Sequence, residues 1–132
     1  MTHEPAPVVR GELRITKVTA GPWSVIACEG DLDVTTSSEL RIALRDASLD
    51  SGVVLDLDKV AFIDSTALGV LIAGQKQIQR EGRQLRIVVS NPVILRILAI
   101  TGLDDMFAIC ATQRDAVAPP TGGEPGTAGP SL

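Results

Sequence analysis

Two short acidic and hydroxyl-bearing stretches carry the residue types that could do chemistry. One is Asp64-Ser65-Thr66; the other is Glu29-Gly30-Asp31-Leu32-Asp33. Val60-Ala61-Phe62-Ile63 runs into the first of them, and Leu68, Val70, Leu71, Ile72 and Ala73 follow it. The apolar β-branched residues before Asp64 predict a strand, and the small residues and helix formers after it predict a helix. Ser65 then stands in the first helical turn, among free N–H groups and the partial positive charge of a helix start. A phosphate is held well in such a place. On local sequence two readings stay open: Ser65 or Asp64 as a routine helix cap, or Ser65 as a phosphate acceptor with Thr66 as second choice.

The elements that must position these residues follow from the pattern. Leu13, Ile15 and Val18 predict a first strand, and a second runs from about Trp23 to Glu29, the pair forming a hairpin around Ala20-Gly21-Pro22. Thr36-Ser37-Ser38-Glu39 matches a capping box. It opens a helix with Leu40, Ala43, Leu44 and Ala47 on one face and Arg41, Arg45 and Asp46 largely on the other, stopped by Ser51-Gly52. Val53–Leu57 lacks polar alternation, as in a strand covered on both faces. A charged link, Asp58-Lys59, separates it from Val60–Ile63. The second helix, from about 65 to 81, puts Leu68, Leu71, Ile72 and Ile78 towards the core. Its other side carries Gly69, Val70, Ala73, Gly74 and Gln77, small and uncharged; it is read as a docking surface or as packing inside the domain. Leu85–Val89 is another strand. Asn91-Pro92 starts a third helix with Ile94, Ile97 and Leu98 buried, and Gly102 ends it. Met106–Cys110 is a short last strand. Residues 1–10 read as a flexible arm, 11–115 as one folded domain, and 116–132, rich in Pro and Gly, as a disordered tail.

This order predicts an α/β fold: a small mixed sheet with parallel core strands packed against α-helices and the first strand antiparallel at one side. The loops after the second and third strands then lie side by side, where open α/β sheets place their sites. Asp33 is read as positioning a partner or an attacking hydroxyl, or as a solvated loop carboxylate. Asp64 is open between capping and function. Asp56, inside a strand, faces a sheet edge or is hydrogen-bonded nearby.

Composition excludes several classes. A length of 132 residues suits one domain. A net charge of −4 with no clustered Lys/Arg stripe argues against direct nucleic-acid binding, and the few aromatics give no stacking platform. The first ten residues lack the apolar core of a secretion signal, and no apolar run approaches the roughly 18 residues of a membrane helix. The expectation is a cytoplasmic protein with Cys28 and Cys110 as reduced, buried thiols rather than a disulfide. The sole histidine, His3, lies in the arm, so no Ser-His-Asp triad can form in the folded part. There is no G-x-S-x-G elbow, P-loop, G-x-G-x-x-G or Cys/His metal spacing, and neither catalysis, a cofactor nor a metal is expected. A phosphoaspartate receiver with Asp56 as acceptor is disfavoured, because the acidic cluster after the first strand and the basic residue after a late strand are missing.

With these residues in view, the chain resembles the STAS domain, and more narrowly the bacterial anti-sigma factor antagonists. Glu29-Gly30-Asp31-Leu32-Asp33 before a capped helix, Leu55–Leu71 with its Asp-Ser-Thr element, and Gly102-Leu103-Asp104 followed by Phe107 carry the likeness over about 15 to 110. The resemblance implies a partner switch. The unphosphorylated protein binds an anti-sigma factor, itself a serine kinase of the GHKL fold, and frees the sigma factor. Phosphorylation of the residue matching Ser65 ends binding, and a PP2C-like phosphatase resets it. The implied partner-binding residues are Asp31, Asp33, Asp64, Ser65 and Thr66, joined by Gly69, Val70 and Ala73 of the small helix face. Ala67 departs from the family pattern, which has Gly there. A STAS scaffold without a phosphorylation switch is the alternative, and self-association is open.

Overall fold

The computed structural model describes residues 12–47 and 52–118. Its elements run β1 (Leu13–Ala20), β2 (Trp23–Leu32), α1 (Ser37–Asp46), β3 (Gly52–Ile63), α2 (Ser65–Arg80), β4 (Gln84–Val88), α3 (Pro92–Ile100), a 3-10 turn (Leu103–Asp105), β5 (Ala108–Cys110) and α4 (Gln113–Ala116). They form one five-stranded sheet in the order β1-β2-β3-β4-β5. β1 pairs antiparallel with β2, and every other pairing is parallel. The fold is the α/β architecture expected, with β2, β3 and β4 as its parallel core.

The main core lies between the sheet and α1, α2 and α3. Ile26, Leu55, Leu57 and Ile87 from the strands meet Leu40, Leu44, Leu71, Ile78, Ile94 and Leu98 from the helices. Burial of that many aliphatic side chains, at roughly 1.5–3 kcal/mol each, drives the helices onto the sheet. The opposite sheet face carries a smaller cluster of Trp23, Val25, Val54 and Val88, closed by Ala116 of α4. Arg86 stacks 4.3 Å from the Trp23 ring centroid and donates hydrogen bonds to the carbonyls of Ala116 and Ala118; Trp23 Nε1 also donates to Ala118 O at 3.3 Å.

Several expectations need correction. β3 is one 12-residue strand, and Asp58-Lys59 belongs to it. The cause is a pair of irregularities against β2, between Ala27 and Glu29 and between Gly30 and Asp31, each adding a residue on the β3 side. The buried positions are therefore spaced 53, 55, 57, 60, 63, not by strict twos. β2 likewise continues to Leu32, so Glu29–Leu32 is strand rather than loop. Gly52 does not stop α1; it opens β3, where an added Cβ would fall 2.2 Å from the Trp23 ring. Residues 116–118, read from sequence as part of the tail, pack on the fold: Ala116 is fully buried and the Ala118 carbonyl accepts hydrogen bonds. Cys110 is half-buried rather than buried, and neither cysteine is in a disulfide. The arm at 1–10, the helix stop at Ser51 and the tail at 119–132 lie outside the described residues. Among the described residues, no helix is long and apolar enough to cross a membrane.

Candidate functional site

Leu32 and Ile63 end β2 and β3 in register with each other, so the two outgoing loops leave the sheet as neighbours. Asp64 N–H donates to Leu32 O at 3.0 Å and fixes that adjacency in the backbone.

The first loop closes on Asp33. Its Oδ1 accepts from Thr35 N (2.9 Å), Thr35 Oγ1 (2.7 Å) and Thr36 N (3.2 Å). This is an Asx turn, in which a short carboxylate replaces a backbone acceptor and sets the chain for helix entry. The bond from the Thr35 hydroxyl, foremost, holds the Asp33 carboxyl below its usual range, so it is ionised at neutral pH. Thr36 Oγ1 donates to Asp31 O at 2.8 Å and accepts from Asp33 N–H at 3.0 Å. Thr36 is the N-cap residue of α1 but its side chain makes no cap bond, so the expected capping box does not form. The hydroxyl is engaged in closing the loop instead.

The second loop is a single residue. Asp64 is the N-cap of α2, its Oδ1 accepting from Ala67 N–H at 3.0 Å. Its other oxygen, Oδ2, accepts from Val34 N–H at 3.1 Å. One carboxylate therefore caps the helix and ties down the tip of the neighbouring loop. Ser65 and Thr66, the first two helical residues, are exposed, and no hydrogen bond engages the Ser65 hydroxyl among the described residues. Ala67 is buried in the core with no exposed surface. Its methyl group points away from any visitor to Ser65.

The sites inferred from sequence divide three ways. Asp33, Asp64, Ser65 and Thr66 come together at the rim of the sheet. Gly69 and Ala73 are exposed along α2. Asp31 and Val70 offer little surface beside Ser65: each is only 5% exposed, and Val70 is reached only at the bottom of the cleft between α1 and α2. Asp31 lies within β2, its N–H donating to Glu12 O at 2.9 Å. Val70 faces the core beside α1, as does Gly74, where an added Cβ would stand 2.9 Å from Leu44 Cδ1. The small face of α2 is thus split between helix packing and open surface. Asp56 is hydrogen-bonded, as one reading had it: Oδ1 accepts from Asp58 N–H and Oδ2 from Gln113 Nε2.

Sequence reading missed Val34, an apolar loop-tip residue 68% exposed beside the Asp64 cap. The signal was an Asp-Val-Thr-Thr run after a strand, whose turn geometry puts its second residue at the tip. It also missed the gathering of Arg41 and Arg45 of α1 with Arg80 of α2 along one groove, which no linear stripe announces.

The chain is similar to several known proteins. The family model described as STAS domain matches residues 14–116. The chain is 32% identical over 82 residues to the anti-sigma-B factor antagonist of Listeria monocytogenes, covering 61% of this chain and 72% of that protein. It is 29% identical over 99 residues to the anti-sigma-B factor antagonist of Staphylococcus aureus, covering 74% and 92%. The crystal structure of an anti-sigma factor antagonist from Mycobacterium paratuberculosis superposes with a TM-score of 0.77 at 26% identity, covering 84% of this chain and 96% of that one.

Proposed function

The chain belongs to the STAS domain family, and from that premise we propose that it is an anti-sigma factor antagonist switched off by a phosphate on Ser65. In its unmodified form it binds an anti-sigma factor and so releases the sigma factor. The anti-sigma factor is also the kinase, a serine kinase of the GHKL fold. The Ser65 hydroxyl attacks the γ-phosphorus of ATP, its proton is lost, and ADP leaves. A PP2C-like phosphatase hydrolyses the ester and restores the hydroxyl.

One observation carries this reading. Asp64, not Ser65, caps α2, so the serine is released from the structural duty that its position would otherwise explain. It stands exposed at the positive end of a 16-residue helix, which tolerates a dianion without rearrangement of the fold. Asp33 and Asp64 flank it on the two adjoining loops. A phosphate adds close to two further negative charges to this rim. A partner surface shaped for a neutral hydroxyl then loses contacts and meets repulsion. The switch works at the interface rather than by refolding. Ala67 is compatible with it, because its side chain belongs to the core.

The test is calorimetric titration of the anti-sigma factor with unmodified protein and with protein carrying phosphoserine at position 65. Unmodified protein binds, and the phosphorylated form binds at least about tenfold more weakly, or about 1.4 kcal/mol. Equal affinities would remove the switch. Phosphosite mapping after incubation with the kinase and ATP places the modification on Ser65, and exclusive labelling of Thr66 would move it.

A further inference from the structure

α1 and α2 flank a groove of about 370 Å³. Leu44, Val70 and Ile78, each 5% exposed or less, give it a shallow apolar floor together with Gly74. Gly74 matters here because it has no Cβ to hold the Leu44 side chain off, so the two helices approach closely beneath the groove. The rim is cationic. Arg41 and Arg45 stand one turn apart on α1, and Arg80 lines the groove from α2. Glu81 is the one carboxylate lining it; it accepts from Gln77 Nε2 at 2.7 Å and Arg83 Nη1 at 3.1 Å, and the Arg80 charge acts on it as well. Among the described residues, no salt bridge engages Arg41 or Arg80; Arg80 Nη2 donates to the Gln77 amide oxygen at 2.9 Å.

We propose that this groove binds an acidic amphipathic helix of a partner protein. Charge complementarity selects the occupant. The chain as a whole carries −4, so an acidic segment is repelled by most of the molecule and attracted to this rim. An apolar floor between cationic walls fits a helix with one apolar stripe flanked by carboxylates, the groove mode of helix recognition. The scale agrees, since the ten residues of α1 span roughly 15 Å, nearly three turns of a docked helix. A flat aromatic ligand has nothing to stack on, because no aromatic side chain lines the groove. The inference does not depend on a phosphate at Ser65, and the groove starts at Val70, further along α2.

A fluorescent peptide of about 15 residues, long enough to populate a helix, with Leu at i, i+3, i+4 and i+7 and Glu on the flanks, is titrated against the full chain by anisotropy. Its counterpart with Lys for every Glu is the control. The acidic peptide binds, its affinity falls with added salt, and it perturbs the NMR amide signals of Arg41, Arg45, Gly74 and Gln77. The double charge reversal Arg41→Glu with Arg80→Glu, at exposed positions, weakens binding at least tenfold with an unchanged circular dichroism spectrum. Equal binding of the Lys peptide, no binding of the acidic one, or shifts centred elsewhere would overturn the proposal. So would a concentration-dependent dimer in sedimentation that the charge reversals dissolve, since a second copy would then own the groove.

Discussion

The carboxylate of Asp64 accepts the amide proton of Val34 at 3.1 Å across the gap between two loops. Its second oxygen accepts from Ala67 at the start of α2. Loop tip and helix start are thereby held as one unit, and Ser65 sits on that unit. Asp64→Ala removes the cap and leaves the Val34 amide to water. An N-cap loss is typically about 1 kcal/mol, and the freed loop adds to it, so urea denaturation should report a loss of about 1–2 kcal/mol. Asp64→Asn keeps one oxygen acceptor and should retain roughly half of that difference. A loss below 0.5 kcal/mol for Asp64→Ala, roughly the scatter of neutral surface changes, would show the bridge to be ornamental.

Much of this arrangement was legible beforehand, and what was not has identifiable physical causes. Asn91-Pro92 announced α3, because an Asx cap and a proline at the first helical position use purely local chemistry. The order of elements gave the parallel core, because crossovers are right-handed. β3 misled because Asp58 and Lys59 sit where its bulges turn side chains outward, and a bulge leaves no local mark. Asp31 misled because its acidity implied solvent, whereas β2 runs through it. Val70 misled because helical phase alone could not say which flank α1 would cover. The cap of α2 was open between Asp64 and Ser65 for the same reason: either can accept from a helix start, and only backbone geometry decides.

Ala73 and Gly74 are neighbours with opposite fates. Ala73 is exposed at the edge of the groove, while Gly74 faces Leu44. Ala73→Asp should leave stability within about 0.5 kcal/mol and the circular dichroism spectrum unchanged, yet weaken partner binding at least about tenfold. Gly74→Ala should be near neutral: its new methyl meets only the far end of the flexible Leu44 side chain, and better helix propensity offsets the crowding by up to about 1 kcal/mol. Gly74→Val overfills the contact and should cost about 1–3 kcal/mol. Chemical denaturation with parallel binding assays checks all three. Unfolding of Ala73→Asp would mean that the exposed edge is a packing surface after all.

Cys28 gives an alkaline signature. It is 2% exposed, and burial, foremost, with the Asp56 charge behind it, pushes the thiol up to about 12 from 9.0. Above pH 9 the unfolded chain loses this proton while the folded chain keeps it. The unfolded state then binds fewer protons, so stability falls with pH. The contribution is complete below pH 9 and is lost progressively as pH climbs towards 12. Cys28→Ala should flatten that part of the pH–stability curve, measured by denaturation between pH 8 and 11, although it lowers the whole curve through the lost packing. In native protein a thiol reagent should modify the half-buried Cys110 first and reach Cys28 only on unfolding. Comparable rates at both would show that the strand opens locally.

The charge account of the switch makes a demand that a steric account does not. Asp33 is held ionised by its hydrogen bonds, Thr35 foremost, and Asp64 caps the helix directly beside Ser65. If phosphate acts here by adding repulsion to an already acidic rim, salt must relieve it. The screening length falls from about 10 Å at 0.1 M salt to about 3 Å at 1 M. The ratio of affinities between unmodified and phosphorylated protein should therefore shrink as salt rises. Ser65→Asp, with a single charge, should sit between them at low salt and converge on the unmodified value first, while Ser65→Ala tracks the unmodified protein throughout. Calorimetry at three salt concentrations decides the matter. A ratio that stays constant would assign the effect to the bulk of the phosphate, and the acidic residues around Ser65 would then have no part in the switch.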